Sequence, residues 1–425
     1  MASGVRSRAV LQMLVFASLV PGAFAATPPE ERIAELERRT AELAAALARL
    51  QGELEAARTS SPTSEPTAEL REELVETRRI ARDAAAVASR AGEWRESRSV
   101  THLAGYAAAG YADSDSGGAF DVANFNPIFH YQYGDRILWE SELEVDVEDN
   151  GDTNLALEYS AVNVFLNDNL TVLAGKFISP LGFFRQNLHP AWINRLPSAP
   201  PGFGHDGAAP LADIGAQLRG AYLFGGQRLG FAAYVGNGPK LEAENGEIHG
   251  LETEGFAGDA DDEKVVGTRV SWMPAPEIEL AFSLGGGDIA VAEDDGADVS
   301  GDPTRDYRVY GADGSWTHGG FELRGEYIEQ DVDDAAGSIV PEGANWQTWY
   351  AQSSWRPARS PWQGVLRYTD FDAAEADESQ EQWALGLNFF VTPNALFKLG
   401  YEFNDGLGGS VADEDRFLLQ FAYGY

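Results

Sequence analysis

The residues of this chain that could do chemistry are charges set at alternate positions. Glu140, Glu142, Glu144 and Asp146 stand between Trp139, Leu143, Val145 and Val147. Lys176, Arg219, Arg269, Arg324, Arg367 and Lys398 recur farther along, each flanked by apolar or small residues. Glu158, Glu322, Glu326 and Glu402 share the pattern. In a β-strand successive side chains leave opposite faces, so this spacing puts charge on one face and grease on the other. A ring of such strands around water would carry an acidic patch from Glu140, Glu142 and Glu144, with a basic ladder spread over the rest. Opposed charges of this kind make a transverse field that favours water and dipolar solutes over apolar ones. Arg185 and Arg195 add basic charge to the link 179–212, which is rich in Pro, Gly and aromatics and is expected to fold into the lumen and narrow it, the alternative being an external loop that packs against neighbouring subunits.

Other chemistry is poorly served. The six histidines, His102, His130, His189, His205, His249 and His318, show no metal-ligand spacing. No G-x-S-x-G elbow, P-loop or HExxH helix occurs, and no Ser–His pair falls on one strand face, so an enzyme is not expected. The run Gly285-Gly286-Gly287-Asp288 reads as a strand end rather than a phosphate cradle. The aspartates Asp259, Asp261, Asp262, Asp294, Asp295, Asp333 and Asp334 lack an EF-hand pattern and read as a solvated rim. With no cysteine there is neither a disulfide framework nor a thiolate site. The balance of 31 Lys+Arg against 67 Asp+Glu argues against nucleic acid, which selects basic patches. No cofactor or metal is implied.

The elements that must position these charges follow from the texture of the chain. Residues 1–25 read as a secretory signal: Arg6 and Arg8, an apolar run, then Ala23-Phe24-Ala25. Residues 26–98 read as a helical coiled-coil segment with a Pro/Ser break near 59–67. Its seam, Ile33, Leu36, Thr40, Leu43, Leu47, Leu50, Leu54 and Ala57, alternates steps of three and four and needs a partner helix to cover it. Beyond the signal, no apolar run reaches the roughly 20 residues a membrane helix requires. If residues 99–425 span a membrane, they must do so as a closed barrel, which hides its hydrophobicity in alternation. Sixteen strands are expected, at 99–111, 122–133, 135–147, 153–166, 169–178, 213–224, 227–236, 263–273, 277–286, 305–316, 319–330, 345–356, 361–370, 380–391, 394–403 and 415–425. Links after even-numbered strands are short, and those after odd-numbered strands are mostly long and acidic, as in an outer-membrane barrel. Every downward strand ends near an aromatic, among them Tyr133, Trp272, Trp316, Trp355 and Tyr425, at the depth where lipid headgroups favour such rings.

The last strand, Arg416–Tyr425, resembles the closing strand of Gram-negative outer-membrane barrels. The stretches Ala174-Gly175-Lys176-Phe177, Leu181-Gly182-Phe183-Phe184, Leu188 to Pro197 and Ile214 to Gly220 carry a wider likeness. Through them the chain resembles the Gram-negative porins, most closely the phosphate-selective porin O and P family. That resemblance implies a sixteen-stranded, trimeric, water-filled channel in the outer membrane, in contact with lipid and lipopolysaccharide. It would pass small hydrophilic solutes or ions, with phosphate and other anions preferred, and would lead from the fifth strand into a constriction loop. Lys176, Arg185, Arg195, Arg219, Arg269, Arg324, Arg367, Lys398, Glu140, Glu142 and Glu144 are then expected to line the pore and its narrowing. A rival expectation is an envelope-organising anchor whose periplasmic coiled coil tethers the barrel to partners.

Overall fold

Sixteen strands, each antiparallel to its neighbours in sequence, close into a barrel. The computed structural model describes residues 99–120, 123–147, 151–204, 207–258, 262–293 and 298–425. The signal segment, the coiled coil and the residues His205, Asp206, Asp259, Asp261, Asp294 and Asp295 lie outside the described residues. In chain order the barrel strands are β1 (Ser99–Ser114), β2 (Ala123–Tyr133), β3 (Ile137–Val147), β4 (Thr153–Asn167), β5 (Leu170–Ile178), β6 (Ala212–Phe224), β7 (Gln227–Gly236) and β8 (Val265–Ala275). They continue as β9 (Ile278–Ile289), β10 (Arg305–His318), β11 (Phe321–Val332), β12 (Ala344–Trp355), β13 (Trp362–Asp372), β14 (Gln380–Thr392), β15 (Ala395–Gly406) and β16 (Arg416–Gly424). The short strand Gly117–Ala119 merely extends the tip of β1, pairing Ala112 with Ala119.

These bounds agree with the sequence reading to within a few residues, because a period of two survives wherever one wall is lipid and the other is not. Closure comes from β1, which pairs with β2 through Ser99↔Tyr133 and with β16 through Tyr106↔Gly424 to Asp113↔Phe417. Gly105 and Tyr425 exchange both backbone bonds, at 3.1 and 2.9 Å, and the Tyr425 ring stacks on Phe125. Antiparallel pairing all the way round leaves no sheet edge, which a strand in hydrocarbon could not tolerate.

The outer wall is apolar. Val162, Leu218, Val270, Leu280, Leu366, Leu385 and Leu399 are all exposed on it. Two aromatic belts bound this band. One stands at the short-turn end, where Trp316 meets Phe321, Trp362 meets Phe389 and Phe397 meets Phe421. The other stands toward the long loops, where Trp349, Tyr368 and Trp383 meet in a row with their rings tilted. Rings with one apolar and one polar edge settle at both headgroup layers.

The inner wall is not uniformly wet. Leu173, Phe177, Tyr234, Tyr307, Ile328, Tyr350 and Phe371 point inward and pack with Leu181, Phe184 and Phe203 of the 179–211 link into an apolar core. The long loops add to it. Strands Lys240–Glu244, Glu247–Glu252 and Val291–Glu293 form a small separate sheet that contributes Leu241, Leu251 and Val291. Arg305, almost fully buried, holds the link between β11 and β12 by donating to the Glu342 carbonyl (2.6 Å) and Ser338 Oγ (2.8 Å).

The closing seam has no room for a side chain at Gly105. A Cβ there would lie 2.4 Å from the Asn126 carbonyl oxygen and 2.6 Å from Tyr425 Oη, on a backbone at φ +155°. Gly105→Ala is therefore expected to destabilise the barrel by roughly 1–3 kcal/mol, as other overpacked sites do. Urea titration in detergent micelles, read by heat-modifiable mobility, should give a lower midpoint; an unchanged midpoint would show that the seam can relax.

Candidate functional site

The 179–211 link leaves β5, crosses the lumen and returns to β6, and its backbone is held by side chains from the far wall. Laid across a barrel, it has no strand beside it to take its backbone polar groups, so each must find another partner. Ser283 Oγ accepts from Gly182 N–H at 3.0 Å, and the Glu326 carboxylate accepts from Phe183 and Phe184 at 2.7 and 2.9 Å. Those bonds start the one helical turn of the link, Phe184–Asn187. Lys398, fully buried, donates to the carbonyls of Ala191 and Leu196. Arg367, also fully buried, donates to the Ala199 and Ser198 carbonyls at 3.1 and 3.3 Å and to Gln382 at 2.9 Å. Asn388, Gln420 and Thr348 donate to the carbonyls of Arg195, Pro197 and Pro201.

Glycines on the wall let this link lie close. Leu196 sits over Gly386 and Trp192 over Gly424, where any Cβ would come within 2.6 Å of the side chain. Arg185, on the helical turn, reaches β4 and pairs with Glu158 at 2.5 Å. The link is thereby fastened both beside its origin and across the lumen.

What remains open lies between the link and strands β2–β8. Two adjoining cavities, of about 280 and 490 Å³, share Gln186, Gln217 and Arg219. Gln186 comes from the link; Gln217 and Arg219 come from β6, so this is where link and wall come nearest. Gln217, beside both cavities, is almost fully buried, and both its amide atoms lack a protein partner. Arg219 donates to Asn163 Oδ1 at 2.8 Å, and Asn163 donates to Glu140 Oε2 at 2.8 Å. The acidic patch and the first rung of the basic ladder are therefore neighbours on one wall, coupled through an amide.

The basic residues fall into three groups. Arg269 is neutralised by a bidentate bond to Asp313 (3.0 and 2.7 Å), and Arg324 and Arg195 share Glu322 at 3.2 and 3.7 Å. Arg324 also lies 4.0 Å from the centre of the Phe183 ring, clamping the start of the link by a cation–π contact. Arg367 and Lys398 point inward as expected, but they are sealed beneath the link and act as its anchors. Arg219 and Arg228 face the gap with no carboxylate within ion-pair distance among the described residues. Arg228 was missed in the sequence because it follows a two-glycine turn, where alternation has barely begun.

The acidic group is lumenal throughout. Glu142 is almost fully buried and accepts from Asn126 at 3.3 Å, and Glu140 and Glu144 flank it on the same face. Lys176 is the correction. The ladder sets it opposite Ser160 and Ile214, and Ser160 accepts from the outward Trp139 indole at 3.0 Å. Its neighbour Phe177 points inward against Tyr234. Lys176 is therefore on the outer wall and does not line the pore. The expectation failed because it took the apolar face of β5 for the lipid face. Here the link brings its own apolar core inside, so Leu173 and Phe177 are the greasy residues facing in.

Residues 228–407 match the family model described as phosphate-selective porin O and P. No curated protein sequence matches the chain. In fold the chain is similar to the outer-membrane channel DcaP of Acinetobacter baumannii, at 10% identity over 77% of this chain and 97% of that one, with a TM-score of 0.53. It is similar also to in-vitro folded OmpT of Vibrio cholerae in its trimer form (13% identity, 77% and 99% covered, TM-score 0.51). The anion-selective porin from Comamonas acidovorans is a third such fold (15% identity, 77% and 100% covered, TM-score 0.50). In its closed barrel and in the match over residues 228–407, this chain is similar to outer-membrane porins and channels, the phosphate-selective porin O and P family among them.

Proposed function

We propose that the gap between the inward link and strands β2–β8 is a diffusion path for small hydrophilic solutes, with small anions, phosphate among them, preferred. The observation that carries this reading is the state of Arg219 and Arg228: they face the gap without a carboxylate partner, whereas Arg185, Arg195, Arg269 and Arg324 are paired. An unpaired guanidinium at a narrowing attracts anions over a Debye length of roughly 8 Å at physiological salt. The anion selectivity named for the Comamonas barrel accords with this.

The heptad seam of residues 33–57 supports a further reading, in which the segment 26–98 is a periplasmic coiled coil that helps hold copies of the chain together as a trimer. Its leucines alone do not set the number of helices; the trimer form of the Vibrio barrel favours three.

Three outcomes are expected. Reversal potential in a salt gradient should move toward cation preference in Arg219→Glu and in Arg228→Glu and stay put in Lys176→Glu. If Lys176→Glu moved it as far as Arg219→Glu, the facing assigned to β5 would be wrong. Lys398→Met leaves two link carbonyls unpaired, at about 1–3 kcal/mol each, and should give larger, noisier single-channel steps; a wild-type barrel without discrete steps would defeat the channel reading. Leu47→Asp with Leu54→Asp should abolish chemically crosslinked trimers while the barrel still folds, unless the barrel alone holds the copies together.

A further inference from the structure

At the short-turn end of the lumen, beneath the gap, β1 and β2 bring two histidines together that lie 28 residues apart in sequence. His102 and His130 are ladder partners, and their rings stack with centroids 5.6 Å apart. Their Nδ1 atoms approach to 3.5 Å. Both face the lumen, because His130 is also the partner of Glu140, which lines the gap with Asn163 and Arg219.

From this geometry we propose that His102 and His130 form a site for a borderline divalent transition cation, zinc being the type case. Two nitrogens bound to one tetrahedral zinc at about 2.0–2.1 Å stand roughly 3.3–3.4 Å apart, close to the separation already present. The opposite nitrogen of His130, Nε2, lies 3.6 Å from Glu140 Oε1. A carboxylate in that place turns the ring so that Nδ1 is free to coordinate, and it makes the imidazole a better donor. Glu140 is itself held by Asn163 at 2.8 Å, so the orienting group is fixed. No group of three or more ligating side chains is placed to hold a metal among the described residues. The site would therefore be two-coordinate from protein, with water or a passing oxyanion in the remaining positions. Imidazole ligands select zinc, nickel and copper over magnesium and calcium, which prefer all-oxygen shells. A cation held here would place positive charge beside the acidic patch and give the mouth of the lumen a ligand for anionic solutes.

The test is a calorimetric titration of the purified full-length protein in detergent with Zn²⁺ alone. A site lost to chelator, competed by Ni²⁺ and indifferent to a large excess of Mg²⁺ is expected. His102→Ala and His130→Ala should each weaken it about tenfold or more, while His249→Ala, on an outer loop, should leave it unchanged. Because both lumenal rings are solvent-accessible, the variants should keep the heat-modifiable band of the folded barrel, and that band is checked alongside. Zn²⁺ affinity that survives both substitutions, equal competition by Mg²⁺, or no binding to the folded wild type would overturn the proposal. None of these readouts depends on whether the barrel conducts.

Discussion

A polypeptide laid across the inside of a barrel must find partners for backbone groups that no ladder can take. In this protein the partners are buried side chains of the barrel wall, two of them cationic. Lys398 and Arg367 would each be costly to enclose alone, and the link carbonyls would be costly to leave bare. Enclosed together, each removes the other's penalty. Glu326 does the same at the other end, accepting the N–H groups of Phe183 and Phe184. Everything about the lumen follows from this arrangement: which strands the link covers, where the remaining gap runs, and which charges still meet water.

Counting inward charges would therefore misjudge the electrostatics of the passage. Of the basic residues on the wall, some hold the link and some are cancelled by carboxylates on their own or a nearby strand. The charge left facing the gap comes from the few that are neither, Arg219 and Arg228, and from the acidic patch reached through Asn163. Coupling through a neutral amide matters. A direct bond to Glu140 would cancel Arg219, whereas Asn163 orients both groups and leaves each its charge.

Much of the fold was legible beforehand. The sixteen strands, the alternation of short and long links and the aromatic belt at the short-turn end all reflect a single repeated constraint, lipid outside and something else inside. Legibility ended where the inside stopped being water. At β5 the apolar link made the inner wall greasy, and the rule that assigned Arg219 and Glu142 correctly sent Lys176 the wrong way. The pairing of His102 with His130 was hidden for a different reason. Metal-ligand motifs are recognised by short spacing on one element, whereas here the proximity arises from the register between two strands.

The amino-acid sequence by itself determined the barrel and its strand number, because period-two patterning and glycine-rich turns are local properties that lipid enforces on every strand alike. Only the tertiary structure decided which charges remain free, which become anchors, and which histidines meet. Those outcomes depend on the path of one link and on strand register, and both are settled by contacts between residues more than 200 positions apart, such as Lys398 with Leu196.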